Sequence, residues 1–438
     1  MAETHLPEDI IVTILSWLPV KSLIRFTCVS KRFRFIILSD PIFAKSQYKA
    51  ACEQKTLSRR LLLLSSHATT RLVFRDLETP SFGDTCSFRS LNFRCQKEGG
   101  YVRLLGSCSG LLFILTGFDK FPDKFYICNP STGMLKELPD PGFTAKNPDF
   151  WFSLYHGLSY LPATDNYKVF VASENVYLRR DQDFREVEAK MFSVRDHVWK
   201  RIEPRPQSYD QLFDGQGTVS NHALHWIYRK DEIVAFDLIK EEFRSMRLPN
   251  FDDVSNYTIS HLGVCLGGCL SVSRISYYGS INLWVMREYD VSDSWTELFY
   301  LKFSNPIEPC SRYITPFIGE NSIIIKVWGV NGTGVYNTIL MRFDDKGEAN
   351  GRYIIEQDHV NIIQYEESLL WIEDYHGVEQ KEQQVKRLKT HTTRKVVYNN
   401  IIITTCSKCS LLHTIFYNGQ RMYIVKNNLS PHASFACC

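Results

Sequence analysis

The sequence predicts a multidomain α+β protein in which a small N-terminal unit of three helices precedes a mostly antiparallel, all-β, propeller-like domain. Three observations predict this fold class. Apolar residues recur at helical spacing within residues 10–37, short alternating apolar segments take over from about residue 100, and several of these segments repeat one another. A chain of 438 residues is also too long for one ordinary core, which indicates at least two domains.

The first helix is expected to begin near Pro7, because proline has no N–H to lose in a first turn and the acidic Glu8 and Asp9 complement the positive end of the helix dipole. Pro19 is expected to end this helix. The apolar residues of this segment follow helical spacing: Ile10, Ile11, Ile14, Leu15 and Leu18.

Two more short helices are expected in the next twenty residues. The second holds Leu23, Ile24 and Phe26, and the third begins near Ser30 and buries Phe33, Ile36 and Ile37. At Asp40 and Pro41 the chain should begin another helix at once, since Asp40 can cap it and Pro41 suits its first position.

These helices carry more apolar side chains than about forty residues can bury on their own, since domains this small usually need a partner or a covalent staple. Two explanations of what buries the remaining apolar surface stay open. The helices can form a cap packed on the rest of the same chain, or their remaining apolar face can bind a second protein.

The residues themselves add to this pattern. The segment LPEDII..ILSWLPVKSLIRFTCVSKRF, from Leu6 to Phe33, resembles the F-box, with its two Leu-Pro pairs, its Val-Lys-Ser-Leu-x-Arg-Phe centre and its Cys-x-Ser-Lys segment. This resemblance covers residues 6 to about 45 and implies binding to the Skp-type adaptor of a cullin-based ubiquitin ligase. By position it implies that ten residues form or support that contact: Leu6, Pro7, Ile10, Leu15, Leu18, Pro19, Leu23, Val29, Ser30 and Phe33.

The β part of the chain contains an internal repeat. Residues 109–141 match residues 221–250 in pattern: an apolar strand, a polar turn, a second strand ending in Asn or Asp, a tight turn, and a third strand closing on Leu-Pro. Weaker echoes occur at 191–202, 283–299 and 339–355, and in the first two a tryptophan follows the turn, Trp199 or Trp295. Repeats of roughly 40–50 residues with several strands each are typical of propeller blades, although their irregular spacing hides the number of blades.

The pieces YICNPSTG, NHALHWI, IVAFDL and LWVMREYDVSDSWTEL resemble the F-box-associated domain of plant F-box proteins, a kelch-like family, over about residues 100–370. The resemblance implies a non-catalytic subunit of a ubiquitin ligase complex that binds an unknown target protein through this domain. Membership of the S-locus branch, which acts in self-incompatibility, stays open. The alternative function is a β-propeller interaction scaffold without a ligase role.

The expected domains are an F-box at 1–45, a linker with a helix and strands at 46–98, a propeller-like domain at 99–380, and a basic and apolar extension at 381–438. The extension can close the β domain as a last hairpin or stand apart from it. The loops at 176–190 and 305–313 are candidate target contacts or solvated connections.

Other motifs give no cofactor or metal site. His222 and His225 lie three apart, so on one strand they would face opposite sides and could not chelate one ion together. The GSCSG segment around Cys108 has the outline of a nucleophile elbow, but a strand follows where that motif needs a helix, and we expect a turn between strands. CSKC at 406–409 is half of a zinc motif, KRLKTHTTRK at 386–395 is a charge run, and the terminal Cys437-Cys438 pair is a weak lipidation signal.

Composition is consistent with this reading. A net charge of +3 predicts no nucleic-acid partner by itself, and no apolar run is long enough to predict a membrane span. The N-terminus lacks the basic start and apolar stretch of a secretory signal, and thirteen cysteines without a framework fit reduced thiols. We therefore expect a cytoplasmic or nuclear protein.

Overall fold

The computed structural model describes residues 7–57, 59–65, 71–76, 86–90, 100–118, 121–143, 151–177, 184–203, 215–228, 232–251, 257–265, 268–276, 280–302, 313–318, 323–330, 336–343, 349–355, 361–372, 401–405, 412–418 and 421–426. It divides into two compact units. The first contains residues 1–57 and 368–438, and the second contains residues 58–367.

Four helices open the first unit: α1 (Glu8–Ser16), α2 (Val20–Phe26), α3 (Lys31–Ser39) and α4 (Pro41–Glu53). Their ends follow the expected capping residues. Ser30 caps α3 by accepting a 3.0 Å hydrogen bond from the Phe33 N–H, and the Asp40 carboxylate caps α4 by accepting from the N–H groups of Ile42 and Phe43 at 2.9 and 3.2 Å. Pro41 takes the first position of α4, as the sequence predicts.

The second unit is built from six four-stranded antiparallel sheets among the described strands, and we call each sheet a blade. Five blades use consecutive strands: β4 (Gly100–Cys108), β5 (Leu111–Phe118), β6 (Phe121–Asn129) and β7 (Met134–Glu137); β8 (Trp151–Leu161), β9 (Asn166–Tyr177), β10 (Phe184–Ser193) and β11 (Val198–Ile202); β12 (Thr218–Ser220), β13 (Ala223–Tyr228), β14 (Glu232–Asp237) and β15 (Glu242–Arg247); β16 (Tyr257–Cys265), β17 (Cys269–Ser276), β18 (Ser280–Met286) and β19 (Trp295–Lys302); β20 (Tyr313–Ile318), β21 (Ile323–Val330), β22 (Tyr336–Phe343) and β23 (Ala349–Ile355).

The remaining blade joins both ends of the unit. It consists of β1 (Arg59–Ser65), β2 (Arg71–Asp76), β3 (Cys86–Ser90) and β24 (Asn361–Glu366), and β24 pairs antiparallel with β1, with Leu62 opposite Ile363. This pairing closes the ring, which removes the exposed edges that an open array would leave. Of the segment 46–98, expected as a linker with a helix and strands, the end of α4 lies in the helical unit and β1–β3 lie in a blade.

The last strands, β25 (Ile401–Thr405), β26 (Leu412–Asn418) and β27 (Arg421–Lys426), form a three-stranded sheet of their own. Among the described strands they pair only with one another. The role of closing the propeller, which the sequence left open for this extension, is therefore taken by β24.

The predicted repeat is confirmed at the level of turns. Residues 109–110 and 221–222, which the alignment places together, both form two-residue hairpin turns with left-handed backbone: φ is 51° and 78° at Ser109 and Gly110, and 45° and 61° at Asn221 and His222. Such turns match the right-handed twist of the flanking strands.

The second turn of the repeat is fixed by a side chain. Asn129 and Asp237 end the equivalent strands β6 and β14, and each places its Oδ1 atom where it accepts a hydrogen bond from a backbone N–H two residues on, at 2.8 and 2.9 Å. A short polar side chain that turns the chain in this way explains why Asn or Asp recurs at this position.

The recurring tryptophans join neighbouring blades. Trp199 on β11 donates from Nε1 to the Pro139 carbonyl at 2.7 Å, and Trp295 on β19 donates to the Arg247 carbonyl at 3.2 Å. Both acceptors lie at the Leu-Pro end of the repeat in the preceding blade. Each bond satisfies an indole N–H and a carbonyl at or just after the end of the preceding blade's last strand, so the two features recur together.

Apolar faces between blades form the core of this unit. One cluster joins Leu62 and Ile363 to Leu104 and Leu112, and another joins Phe170 to Trp226 and Phe236, whose rings lie 5.5 and 4.7 Å from that of Phe170. In these clusters of described residues, neighbouring blades bury apolar faces against one another, as propeller blades do.

Candidate docking surface on the N-terminal helices

Helix α1 and the two residues that follow it carry two adjacent apolar stripes. Ile11, Leu15 and Leu18 recur at i, i+4 and i+7 and pack into or against the helical core, whereas Ile10 and Trp17 lie seven residues apart on the neighbouring stripe. Ile10 keeps 43% and Trp17 49% of its surface exposed. The helix is thus apolar over a wider arc than its own core uses.

The inner stripe is covered by this chain itself. Leu15, Leu18 and Leu23 are all buried, in a cluster that includes Leu369 and Leu370 from the segment that follows β24. Gln47 on α4 is also buried and donates from Nε2 to the Leu18 carbonyl at 3.2 Å, so the polar backbone at the end of α1 is satisfied inside the unit.

The apolar surface of the four helices is therefore covered only in part by this chain. A segment of the same chain, residues 368–372, completes the core, and the outer stripe of α1 remains open to solvent. Leu15, Leu18 and Leu23, which the F-box resemblance implies form or support the adaptor contact, are buried in this unit and can therefore support a docking surface from within. Their part in adaptor binding stays a prediction.

The other residues that the F-box resemblance implies are distributed as follows. Pro7, Ile10, Pro19 and Ser30 are exposed, Val29 and Phe33 are half-buried against the helical cluster, and Leu6 lies outside the described residues. Ser30 has a structural duty as the cap of α3. The exposed apolar surface on α1 is therefore formed by Ile10 and Trp17 rather than by the whole set.

Sequence reasoning missed Trp17 and Ile42. Ile42, in the first turn of α4, is 76% exposed. The spacing of Trp17, seven residues after Ile10, was the available signal, since a second apolar stripe beside a complete first stripe predicts an exposed face. No comparable spacing identifies Ile42.

Charged groups frame the helices. Glu8, in the first turn of α1, pairs with Arg32 on α3, and the Arg32 guanidinium lies 5.6 Å from the centre of the Phe35 ring. Both ends of the ion pair are substantially exposed, so it contributes little to stability. It does connect the start of α1 to α3, next to the exposed stripe.

The remaining candidate residues have structural roles where the structure describes them. Cys108 ends β4 directly before the hairpin turn to β5, which confirms the expected turn between strands, and burial raises the pKa of its thiol to about 11. A thiol held protonated in this way is a poor nucleophile.

His222 lies in the turn before β13, whereas His225 is fully buried on that strand. One ring nitrogen of His225 lies 3.0 Å from the Thr218 carbonyl and the other lies 2.8 Å from the Tyr289 hydroxyl. Burial lowers the pKa of His225 to about 4, so the ring stays neutral near pH 7. Both ring nitrogens are engaged with protein groups, which leaves neither for an ion.

Within the described ranges no group of three or more His, Cys, Asp or Glu side chains could hold a metal ion. The motifs CSKC at 406–409, KRLKTHTTRK at 386–395 and Cys437-Cys438 lie outside the described residues. The candidate target loop at 176–190 is the hairpin between β9 and β10, of which residues 178–183 lie outside the described residues. The candidate loop at 305–313 precedes β20, and only its last residue, Tyr313, is described. No described helix is long and apolar enough to cross a membrane.

Comparison with known proteins agrees with this architecture. The chain is 28% identical over 337 residues to the F-box protein CPR1 of Arabidopsis thaliana, covering 72% of this chain and 76% of that protein. It is 24% identical to an F-box/kelch-repeat protein of the same plant, covering 77% of this chain and 89% of the relative. Among solved structures, a protein of unknown function from Bacteroides caccae matches 70% of this chain and 99% of its own length at 12% identity and a TM-score of 0.39.

Two family models match along the chain, the F-box domain at residues 4–45 and the F-box-associated beta propeller domain at residues 82–372. An F-box joined to a propeller of this kind indicates a substrate receptor, and F-box proteins in general are non-catalytic subunits that bind a Skp-type adaptor. With the second model spanning more than half of its length, this chain belongs to the family of F-box proteins with an F-box-associated β-propeller domain.

Proposed function

We propose that this chain is the substrate-recognition subunit of a Skp-cullin-F-box ubiquitin ligase. In this proposal the exposed stripe of α1, formed by Ile10 and Trp17, binds the Skp-type adaptor, and the propeller binds a target protein. The observation that carries the proposal is the exposure of Ile10 and Trp17 on a helix whose core is already complete. Large apolar side chains on one face of a small helical unit favour burial against a partner.

The stripe has the properties of an interface centre. Tryptophan is strongly enriched among residues whose truncation costs at least 2 kcal/mol of binding energy, and it is most effective when neighbouring contacts exclude water. Ile10 and Trp17 lie seven residues, or about two helical turns, apart on the same side of the helix, so one partner surface can bury both. Helix α1 is held in place by α3, α4 and residues 368–372. These contacts use neither the Ile10 nor the Trp17 side chain.

The propeller supplies the second half of the proposed function. Loops between strands at the ends of a closed ring can contact a protein without disturbing the blades. A receptor of this kind accelerates ubiquitin transfer by holding a target lysine near the charged conjugating enzyme, which raises effective concentration and requires no acid, base or nucleophile from the receptor. We place the protein in the cytosol or nucleus, where exposed thiols such as Cys28 and Cys52 stay reduced.

The test is co-elution of the purified full chain with a Skp-type adaptor. A double variant, Ile10→Asp with Trp17→Asp, should weaken adaptor binding by about 100-fold or more, because it places two charges where the interface would be desolvated. Ile239→Asp is the matched control: Ile239 is also an exposed isoleucine but lies after β14 in the propeller, and its substitution should leave binding unchanged.

Both variants should keep the wild-type far-ultraviolet circular dichroism spectrum, since neither alters a core residue. Undiminished adaptor binding by the double variant would contradict the proposed docking surface. A wild-type chain that fails to bind any Skp-type adaptor would instead support the alternative, a propeller scaffold without a ligase role.

A further inference from the structure

The propeller surrounds a central cavity of about 380 Å³. Inner strands of the blades enclose it and are hydrogen-bonded to one another across blade boundaries. The Leu104 N–H donates to Asn361 Oδ1 at 2.7 Å, and the Thr218 hydroxyl donates to the Leu262 carbonyl at 2.7 Å. A volume of this size falls within the range of small-molecule sites in proteins.

Many of the described residues that line the cavity have polar side chains. Among the described residues that line it there is one charged side chain, Lys326, and no carboxylate. His261 adds an imidazole, and the other polar side chains are hydroxyls and amides: Ser107, Thr218, Ser271, Ser273, Gln216, Asn361 and Gln364. One ammonium group among many neutral hydrogen-bonding groups favours an anion.

The backbone around the cavity supports the same reading. Gly263 lies inside β16, where glycine weakens a strand, and its φ is not positive. A Cβ atom built there would meet its nearest neighbours, in His261 and Ser271, at 3.5 Å, which is ordinary contact distance. Neither backbone conformation nor packing therefore requires glycine at this position.

Two inner strands also bulge at the cavity. The register of β16 shifts between Ile259 and His261, and that of β4 shifts between Leu104 and Gly106. Bulges re-aim side chains and are frequent beside binding sites. In β16 the irregularity directly precedes His261, which lines the cavity, and Gly263 follows two residues later.

We propose that the central cavity is a binding site for a small molecule that carries an oxyanion, either a carboxylate or a phosphate. The Lys326 ammonium supplies the charge, and His261 with the surrounding hydroxyl and amide groups supplies hydrogen bonds. The absence of a side chain at Gly263 leaves room for the ligand. This site is independent of adaptor docking.

Isothermal titration calorimetry on the full chain tests the proposal, with inorganic phosphate and citrate as probes at constant ionic strength. We expect saturable binding of at least one probe. Lys326→Met should weaken that binding at least tenfold. Lys302→Met is the matched control, because Lys302 is an exposed lysine at the end of an outer strand, and its substitution should leave binding unchanged.

A second variant, Gly263→Val, should also weaken binding at least tenfold by filling the cavity; Lys326→Met keeps the test decisive if the valine variant does not fold. Binding of phosphate alone or of citrate alone supports the proposal and identifies the oxyanion. The proposal is overturned if neither probe binds up to about 10 mM, or if Lys326→Met binds as tightly as the Lys302→Met control.

Discussion

Substitution of Leu369 by alanine tests whether residues 368–372 complete the core of the N-terminal helices. Leu369 is 0% exposed and lies in the cluster that contains Leu15, Leu23 and Phe43. Truncating a fully buried leucine to alanine costs about 2–5 kcal/mol, because transfer free energy is lost and a cavity remains. A helical core of this size rarely supplies more than about 3–5 kcal/mol, so we expect the substitution to remove most of the local stability of the helices.

Native-state hydrogen exchange followed by mass spectrometry is the suitable assay, since it reports α1–α4 separately from the blades. A loss of about 2 kcal/mol corresponds to roughly 30-fold faster exchange of the most protected helical amides. Peptides from the propeller should exchange as in the wild type. Ile42→Ala is the control, because Ile42 is largely exposed and its truncation should change stability by less than about 0.5 kcal/mol.

The reasoning would be refuted if Leu369→Ala left helical exchange within twofold of the wild type. That result would mean that α1–α4 hold together without this segment. The helical core would then consist of residues 8–53 alone, and residues 368–372 would only lie against it.

Three further predictions concern the propeller. Trp199→Phe removes the bond to the Pro139 carbonyl and should lower the free energy of unfolding by about 1–2 kcal/mol, measured by urea denaturation; an unchanged midpoint would show that the bond is dispensable. Because burial raises the pKa of Cys108 to about 11, alkylation by iodoacetamide at pH 8 should be at least tenfold slower at Cys108 than at the exposed Cys28, measured by peptide mapping, and equal rates would contradict its burial. Burial lowers the pKa of His225 to about 4, below the ordinary value near 6.5 that it has in the unfolded chain. The contribution of neutral His225 to the free energy of unfolding is therefore complete above pH 6.5 and falls by up to about 3 kcal/mol as the pH drops toward 4. His225→Gln should flatten the dependence of stability on pH in that window, and an equally steep dependence would refute the assignment.

The sequence predicts local features of this protein well because each has a local physical cause. The Asn129 and Asp237 turns, the left-handed hairpin at Ser109 and Gly110, and the caps at Ser30 and Asp40 depend on side chains within a few residues of the backbone they fix. Alternating apolar residues then indicate strands, and their repetition indicates blades.

Long-range features were not predictable in the same way. The pairing of β1 with β24 joins segments about 300 residues apart, and neither strand carries a pattern that names its partner. Residues 368–372 read as a short apolar run after a strand, so nothing in their spacing places them in the helical core. Both features arise from non-local packing, which single-sequence periodicity does not encode.

The cavity site was outside the reach of sequence reasoning for a related reason. Its polar residues come from several blades, with His261, Lys326 and Gln364 far apart along the chain, and each is an ordinary residue in its own strand. Only ring closure brings them around one space. Gly263 was the one local signal, since a glycine inside a strand marks a bulge or a close approach.

The division of α1 into a buried and an exposed stripe decides how docking must be tested. Asp in place of Leu15 or Leu18 would put a charge into the helical core and unfold the unit, so loss of adaptor binding by such variants would follow whether or not α1 is the docking surface. Ile10 and Trp17 contribute little to that core, so their substitution separates binding from folding. A docking defect that appears in the Ile10 and Trp17 variants, with wild-type hydrogen exchange in the helices, can therefore be assigned to the surface itself.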